Sequence, residues 1–293
     1  MKTILLEKSS INYPSLLREI SDPPATLYAL GECSLLNDPC IAIVGTRRSS
    51  DYGEYLTHKL VEELAAYKVN IVSGLAMGID TLAHKAALKN RLKTIAVIGS
   101  GIKNIYPRSN LKLADEISKN GLILSEYPDF TPPLKHHFPN RNRIISGISL
   151  ATLVIEAPER SGALITAYLA FDQNREVFTV PGDIDRENSL GPLKLIQKNV
   201  AHPISSAKEL IEILNLSGKL FSEQKKELNT SIQLDLSQEQ ERLFNAISAN
   251  RFVSFEKIHE ICPLPIQQLL VNLSSLEIND LIETKDGKYR RKC

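Results

Sequence analysis

The chain has 293 residues, 43% hydrophobic and 24% charged, the composition of a globular protein long enough for one large α/β domain and a smaller unit. No apolar run reaches the length of a membrane span, and the opening sequence MKTILLEKSS becomes polar too early for a signal peptide, so we expect no membrane partner and no secretion. The formal net charge of +1 means that any polyanionic partner must be held by a local basic patch.

The cysteines indicate the compartment. Cys33, Cys40, Cys262 and Cys293 form no CxxC pair and no metal-like grouping with histidine. Unpaired thiols are typical of a reducing environment, so the sequence predicts a cytoplasmic protein. The same pattern predicts no metal site, and no motif predicts a cofactor.

Residues 1–40 are predicted to be a short lead-in, because turn signals at Asn12-Tyr-Pro14 and Asp22-Pro-Pro24 separate its short apolar pieces. From there to residue 216, short apolar runs alternate with helical patterns. The predicted strands are Ile41–Gly45, Val69–Gly74, Thr94–Gly99, Leu122–Ser125, Ala151–Glu156 and Glu176–Val180. Such alternation is typical of a parallel sheet covered on both faces. The sequence therefore predicts an α/β fold with a doubly wound, mostly parallel Rossmann-like sheet over residues 41–216.

The loops after these strands form the expected ligand edge. In a doubly wound sheet the ligand lies beyond the carboxyl ends of the strands, where helix N-termini favour anions. The first loop reads GTRRSSDYG and lacks G-x-G-x-x-G, and the chain has no P-loop lysine motif. Arg47 and Arg48 stand where a dinucleotide-binding protein would have glycine. An arginine there favours a backbone phosphate, since a pyrophosphate would need bare amides.

The stretch Lys135–Arg143 concentrates positive charge around one aromatic ring. It holds three Lys or Arg residues, two histidines and Phe138, and no acidic residue occurs between Asp129 and Glu156. Guanidinium groups match phosphate oxygens, and a ring offers a surface on which a base stacks. This mixture favours a single strand of nucleic acid. The alternative is a solvated loop that leads into a helix beginning with arginines.

Seven motifs occur in a fixed order along the chain: IAIVGTR, SGLAMGIDTLAH, TIAVIGSGI followed by YP, LSEYP, FPNRNRIISGIS, VIEA followed by SGALIT, and VFTVPGD. Together they resemble the DNA-processing protein A family, also called DprA or Smf, over about residues 12–214. The resemblance implies a protein that binds single-stranded DNA, protects incoming DNA and loads the RecA recombinase in natural transformation and recombination. It also implies a homodimer formed through the Rossmann-like domain.

The resemblance further implies a set of DNA-contacting residues. They are Gly45, Thr46 and Arg47 in the first loop, Lys135, Phe138, Arg141 and Arg143 in the basic stretch, and Ser161, Gly162 and Thr166 after the fifth strand. By their chemistry, Arg47 and Lys135 would neutralise phosphates, Phe138 would stack on a base, and Ser161 would bind a further phosphate. For Arg143, an ion pair with Glu126 or Glu156 is an equal alternative, and Arg141 inclines to a structural role for the same reason.

The last part of the chain differs in composition. Residues 217–237 are polar and are predicted to be a linker, and residues 238–293 are predicted to form a winged-helix-like domain of three helices and a hairpin around Asp286-Gly287. The expected recognition helix, residues 265–278, contains no Lys or Arg. Because phosphate neutralisation supplies most duplex affinity, this favours an accessory or protein-contacting module over an independent duplex reader.

Two other classes of function use the same kind of sheet edge. A nucleotide hydrolase needs an acidic residue after its phosphate-binding glycines, and the segment from Ser161 to Thr166 is followed by Ala167. Glu126, Glu156 and Asp183 are candidate acids or bases, but buried acids at strand ends more often pair with arginines or cap helices. We therefore expect no enzymatic activity. A sensor of a nucleotide-derived ligand stays open as an alternative.

Overall fold

The computed structural model describes residues 2–216, 237–248, 252–279, 281–285 and 287–291. The chain divides into two compact units, Met1–Glu223 and Gln224–Cys293. The division falls within the predicted linker, of which residues 217–236 lie outside the described part of the chain. Each unit is considered by itself below.

A nine-stranded sheet forms the centre of unit 1. From one edge to the other, its strands are β1 (Ile4–Glu7), β2 (Thr26–Gly31), β6 (Leu122–Ser125), β5 (Thr94–Ile98), β4 (Asn70–Ser73), β3 (Cys40–Val44), β7 (Ala151–Val154), β8 (Glu176–Thr179) and β9 (His202–Pro203). Strands β3 to β9 pair in parallel, whereas β1 and β2 run antiparallel to their neighbours. The predicted mostly parallel sheet is thus confirmed, with β9 as an additional short strand.

The helices of unit 1 cover both faces of this sheet. They are α1 (Ser15–Arg18), α2 (Asp51–Leu64), α3 (Ile79–Lys89), α4 (Leu111–Asn120), α5 (His137–Gly147), α6 (Gly162–Asp172), α7 (Glu187–Gln197) and α8 (Ala207–Ile213). On β3, Ile41 and Ile43 belong to one buried apolar cluster, and Ala42 and Val44 belong to another. Because successive side chains of a strand point to opposite faces, both faces of the sheet are buried, as a doubly wound fold requires.

The predicted lead-in is part of the sheet, which corrects our interpretation of residues 1–40. Strand β2 pairs with β6, with Tyr28 opposite Ser125, and β1 pairs with β2. Leu27 and Ala29 are fully buried in the apolar cluster below the sheet. The two strands are short and lie among turn signals, so their pairing partner, which is distant in the sequence, determines their structure.

The order of the strands defines where a ligand would bind. Strand β3 lies between β4, which follows it in the chain, and β7, which comes much later. The connections after β3 and β7 therefore leave the sheet in opposite directions and open a crevice at its carboxyl edge. The loops at residues 45–50 and 155–161 border this crevice.

Unit 2 contains the helices α9 (Gln238–Ala246), α10 (Phe255–Ile261) and α11 (Ile266–Ile278) and the strands β10 (Val253–Ser254), β11 (Ile282–Lys285) and β12 (Lys288–Arg291). The strands form an antiparallel sheet in the order β10, β12, β11, and Leu243, Ile258 and Leu273 are buried in a separate core. This is the element content expected for a winged helix, and the assignment to that fold stays a prediction. Across the described residues of both units, none of the helices combines the length and apolarity that crossing a membrane requires.

Candidate nucleic-acid interface

The loop after β3 is held in place by its backbone. The Thr46 N–H donates to the Glu156 carbonyl at 2.7 Å, and the Thr46 carbonyl accepts from the Ile79 N–H at 3.1 Å. A Cβ atom at Gly45 would lie 2.5 Å from the Ile79 side chain, so only glycine fits there. Gly45 and Thr46 thus shape the loop, whereas Arg47 is exposed at its end.

Glu156 closes the same loop from the other side of the crevice. Its buried carboxylate accepts from the Ser50 N–H at 3.0 Å, from the Ser50 hydroxyl and from Asn188 Nδ2 at 3.4 Å. Ser50 also caps α2 by accepting from the Gly53 N–H. The hydrogen bonds of Glu156 therefore give it a structural role in joining the two loops that border the crevice.

Phe138 lies on the first turn of α5 and is half-buried. Its ring packs on the end of β5, where a Cβ atom at Gly99 would lie 3.1 Å from the ring. The adjacent residue, His137, contacts the Gly99 carbonyl through Nδ1 at 3.2 Å. Its ring also stacks on Tyr127, with 3.8 Å between the ring centroids. These contacts fix the start of α5, and with it the position of the Phe138 ring.

Two further side chains meet the Phe138 ring. The Arg47 guanidinium carbon lies 5.8 Å from the ring centroid, within the range of a cation–π interaction. The Tyr106 ring lies 5.6 Å from the Phe138 ring, with 57° between the ring planes. The structure thus brings the predicted residues Arg47 and Phe138 together. It adds Tyr106, which we did not single out although its Tyr-Pro dipeptide belongs to the third family motif.

Arg141 lies below this surface. It is 4% exposed, and its Nη1 atom donates to the Gly74 carbonyl at 2.6 Å and to the Val97 carbonyl. The carboxylate of Asp80, which accepts from the Gly74 N–H at 3.1 Å, is close enough to interact with it electrostatically. Burial lowers the pKa of Arg141 to about 10, so the guanidinium stays charged at neutral pH. In the structure, Arg141 ties α5 to the ends of β4 and β5.

Arg143 is engaged in ion pairs. Its two terminal nitrogens contact the two carboxylate oxygens of Glu126 at 2.9 and 2.6 Å, and its Nε atom lies 3.0 Å from Asp22 Oδ2. Only 14% of the side chain is exposed. Of the two acids that the sequence offered as partners, Glu126 is the one it contacts. The fork is therefore occupied by carboxylates in this structure.

The residues predicted after β7 surround the start of α6. Ser161 caps this helix by accepting from the Ala163 N–H at 3.2 Å, and Gly162 is exposed with open space around it. The Gly162 carbonyl accepts from Asn142 Nδ2 at 3.3 Å, which links α6 to α5. Thr166 lies one turn further on and is 2% exposed. Ser161 is thus half-buried and Gly162 is exposed at the start of α6, whereas Thr166 lies in the protein interior.

Exposed basic side chains gather at this edge of the sheet. Within residues 2–216, those in the loops directly after a parallel strand that make no ion pair are Arg47 and Arg48 after β3, Lys103 and Arg108 after β5, Lys135 after β6, and Arg160 after β7. The loop after β8 differs, because it carries Asp183 and Asp185 and its Arg186 pairs with Asp183 at 2.9 Å. The basic surface is therefore confined to the loops after β3, β5, β6 and β7.

Fold and site together define a class: a Rossmann-like domain that presents unpaired cations and aromatic rings at the carboxyl edge of its sheet. A family model described as DNA recombination-mediator protein A matches residues 4–215. Because this match covers most of the chain, the protein belongs to that family.

Similar proteins agree with this assignment. The DNA processing protein DprA of Bacillus subtilis is 48% identical over 207 residues, which are 70% of this chain and 69% of that protein. The structure of DNA processing protein A from Streptococcus pneumoniae superposes with a TM-score of 0.70 at 43% identity, covering 72% of this chain and 74% of that one.

A second solved structure, of DNA processing protein A from Helicobacter pylori, is described as showing a unique single-stranded DNA binding mode. It has a TM-score of 0.67 at 34% identity and covers 74% of this chain and 97% of that one. Two other curated relatives are matched over only 52% and 56% of their own length.

Proposed function

We propose that the carboxyl edge of the sheet in unit 1 binds single-stranded DNA and that the protein acts in DNA processing during recombination. The observation that carries this proposal is the contact between Arg47 and Phe138 at the crevice beside β3. One side chain, from the loop after β3, offers a phosphate-binding fork, and the other, from the first turn of α5, offers a stacking face.

The surrounding charges support a polyanion over a small ligand. The unpaired cations are spread over four loops at the same edge of the sheet, those after β3, β5, β6 and β7, which suits a chain of phosphates. Exposed arginines and lysines bind phosphates without reading base sequence, so we expect little dependence on sequence. The described relative from Helicobacter pylori, whose structure shows a single-stranded DNA binding mode, points the same way.

The acids near the crevice favour binding over catalysis. The carboxylates of Glu156 and Asp80 accept backbone hydrogen bonds, and Glu126 pairs with Arg143. A general base needs a free oxygen within reach of a substrate proton, and these acids already hold the loops and α5 in place. We therefore propose that the protein is not an enzyme.

Family membership supports the wider role. We infer that the protein protects incoming single strands, loads the RecA recombinase on them during natural transformation, and works as a homodimer through its Rossmann-like domain in the cytoplasm. The measurement for loading is RecA filament formation on single strands coated with a competing binding protein. The proposed role requires the protein to accelerate filament formation. Light scattering of the free protein measures its mass and so tests the homodimer.

The first experiment is equilibrium binding, followed by fluorescence anisotropy, of labelled oligo-dT, a blunt duplex of the same length and a panel of nucleotides. We expect oligo-dT to bind far more tightly than the duplex, because stacked and paired bases leave no free face for Phe138. Equal affinity for the duplex would contradict the proposal, and tighter binding of one nucleotide would favour the ligand sensor. Turnover of a nucleotide would favour the hydrolase.

The matched control for charge is Lys68→Ala. Lys68 is exposed, lies just before β4 at the opposite edge of the sheet, and makes no ion pair within the described residues. It changes the net charge as much as Arg47→Ala does. A loss of affinity confined to Arg47→Ala therefore locates the site at the carboxyl edge.

A further inference from the structure

Tyr106 has no structural need for its exposed ring. It lies in the loop between β5 and α4 and is 47% exposed. Its hydroxyl makes no hydrogen bond with any residue that the structure describes. An aromatic ring so exposed contributes little to the core, so its position calls for another explanation.

The loop holds Tyr106 firmly. On one side, Ile105 packs against a buried cluster, and the Gly101 N–H donates to the Thr131 carbonyl at 2.9 Å. On the other side, Asn110 is buried and its Nδ2 atom donates to the Leu75 carbonyl at 2.9 Å and to Thr81 Oγ1 at 2.8 Å. The exposed ring is therefore presented from an anchored segment, as a preorganised binding surface requires.

We propose that Tyr106 is a second base-stacking residue, which takes the nucleotide next to the one that stacks on Phe138. This inference rests on the proposed function. The two rings are in contact at 5.6 Å, so no base fits between them without moving them, and each offers its own exposed surface. Arg108, two residues further along the chain, is exposed and has no ion pair within residues 2–216, so its guanidinium is free to bind the phosphate of that nucleotide.

The angle between the two rings also constrains the conformation of the bound DNA. Neighbouring nucleotides of a B-form strand are about 3.4 Å apart along the axis and keep their bases parallel. The rings of Phe138 and Tyr106 are tilted by 57°. Two successive bases that stack on these rings must therefore unstack from each other, which a single strand permits and an intact duplex does not.

The test uses the full chain and oligo-dT of increasing length. Tyr106→Ala and Tyr106→Leu should weaken binding of the longer oligonucleotides about 5- to 150-fold, the range for loss of one base–aromatic stack, at every salt concentration. The shortest oligonucleotide that the wild type binds through Arg47 and Phe138 should be affected least. Tyr106→Phe keeps the ring and should bind like the wild type.

A second readout follows the bases directly. Oligo-dT with two adjacent 2-aminopurines should lose the mutual stacking of that pair on binding to the wild type and to Tyr106→Phe, and should keep it with Tyr106→Ala. Phe171→Ala, which removes another exposed aromatic ring at the far end of α6, is the matched control and should change neither readout.

The outcomes separate the two proposals. Wild-type affinity of Tyr106→Ala at all lengths, with Phe138→Ala impaired, overturns the second stacking site and leaves the proposed function standing. Absence of oligo-dT binding by the wild type overturns both. Equal loss of affinity in Tyr106→Ala and Tyr106→Phe also overturns the stacking role. So does a lower melting temperature in both Tyr106→Ala and Tyr106→Leu that accounts for their loss of affinity.

Discussion

The Arg47 guanidinium lies 5.8 Å from the centroid of the Phe138 ring, although Arg47 lies in the loop after β3 and Phe138 lies on the first turn of α5, which follows β6. The contact exists because Phe138 packs on the end of β5, and the carboxyl ends of β3 and β5 lie at the same edge of one parallel sheet. It links a side chain suited to phosphate with one suited to a base. The first two predictions separate these two contributions to binding.

Replacing Arg47 tests the charge. Arg47→Ala should weaken oligo-dT binding and reduce the slope of log K against log salt by about 0.7, the value for one phosphate contact on a single strand. Arg47→Lys keeps the charge and loses the fork, so its affinity should lie between those of the wild type and of Arg47→Ala. Anisotropy titrations over a salt series measure both, with Lys68→Ala as the control. An unchanged slope for Arg47→Ala would remove the first loop from the site.

Replacing Phe138 tests the stacking. Phe138→Ala should lower affinity about 5- to 150-fold at every salt concentration and leave the salt slope unchanged, because a stacking face releases no counterions. Thermal melts of the same samples show whether the variant is folded. A folded Phe138→Ala protein that binds as tightly as the wild type would rule out the stacking role.

Arg141 should matter for stability before it matters for binding. Arg141→Ala removes the donor to two buried carbonyls and leaves the Asp80 carboxylate without a nearby cation. Removing one partner of a buried charged group costs about 3–5 kcal/mol, so the free energy of unfolding should fall by about that amount. Chemical denaturation measures it, with Arg47→Ala as an exposed control that should stay near the wild type. Wild-type stability of Arg141→Ala would show that the guanidinium is not a structural tie.

His84 should make the protein less stable in acid. Its ring is fully buried, Nδ1 lies 2.7 Å from Thr94 Oγ1, which itself donates to the Ile71 carbonyl, and Nε2 has no partner among the described residues. Burial first, and then the charge of Arg141, lower the pKa of His84 to about 3.

Between about pH 6.5 and pH 3 the unfolded chain therefore binds a proton that the folded chain does not. The contribution of His84 is fully present above pH 6.5 and is lost on acidification, at up to about 1.4 kcal/mol per pH unit. Because burial raises the pKa of the neighbouring Asp80, its titration opposes this trend, and the comparison must be made with a His84→Gln variant. Denaturation at pH 7 and pH 5 should show a steeper loss for the wild type than for His84→Gln. Equal losses would mean that His84 is protonated in the folded protein.

Unit 1 should carry the main DNA site without unit 2. A chain ending at Leu216 keeps the whole sheet and the loops with unpaired cations. We expect it to retain most of the affinity for oligo-dT, because α11 has no Lys or Arg to add phosphate contacts. A large loss of affinity by a shortened chain that circular dichroism shows to be folded would move the site to unit 2.

Much of the fold and part of the candidate site could be predicted from the sequence, because they depend on local chemistry. Apolar runs with buried residues on both faces predict parallel strands, and the motifs at their ends predict the loops that border the crevice. Arg47 and Phe138 were predicted as candidate binding residues because their side-chain types suit phosphate and base, and the structure brings them into contact. The positive charge of the basic surface likewise follows from local composition, and the structure shows it in the loops after β3, β5, β6 and β7.

Only the tertiary structure decided which members of the basic stretch are exposed. Phe138 and Arg141 lie on the same helix, three residues apart, yet one ring is half-exposed and one guanidinium is buried below it. Residues three apart lie on the same face of a helix, so the local turn does not cause that difference. The Arg141 charge is buried because the carbonyls of Gly74 and Val97, which are distant in the sequence, accept its hydrogen bonds. The pairing of β2 with β6 and the place of Tyr106 beside Phe138 depend in the same way on residues far apart in the chain, whose proximity no local pattern encodes.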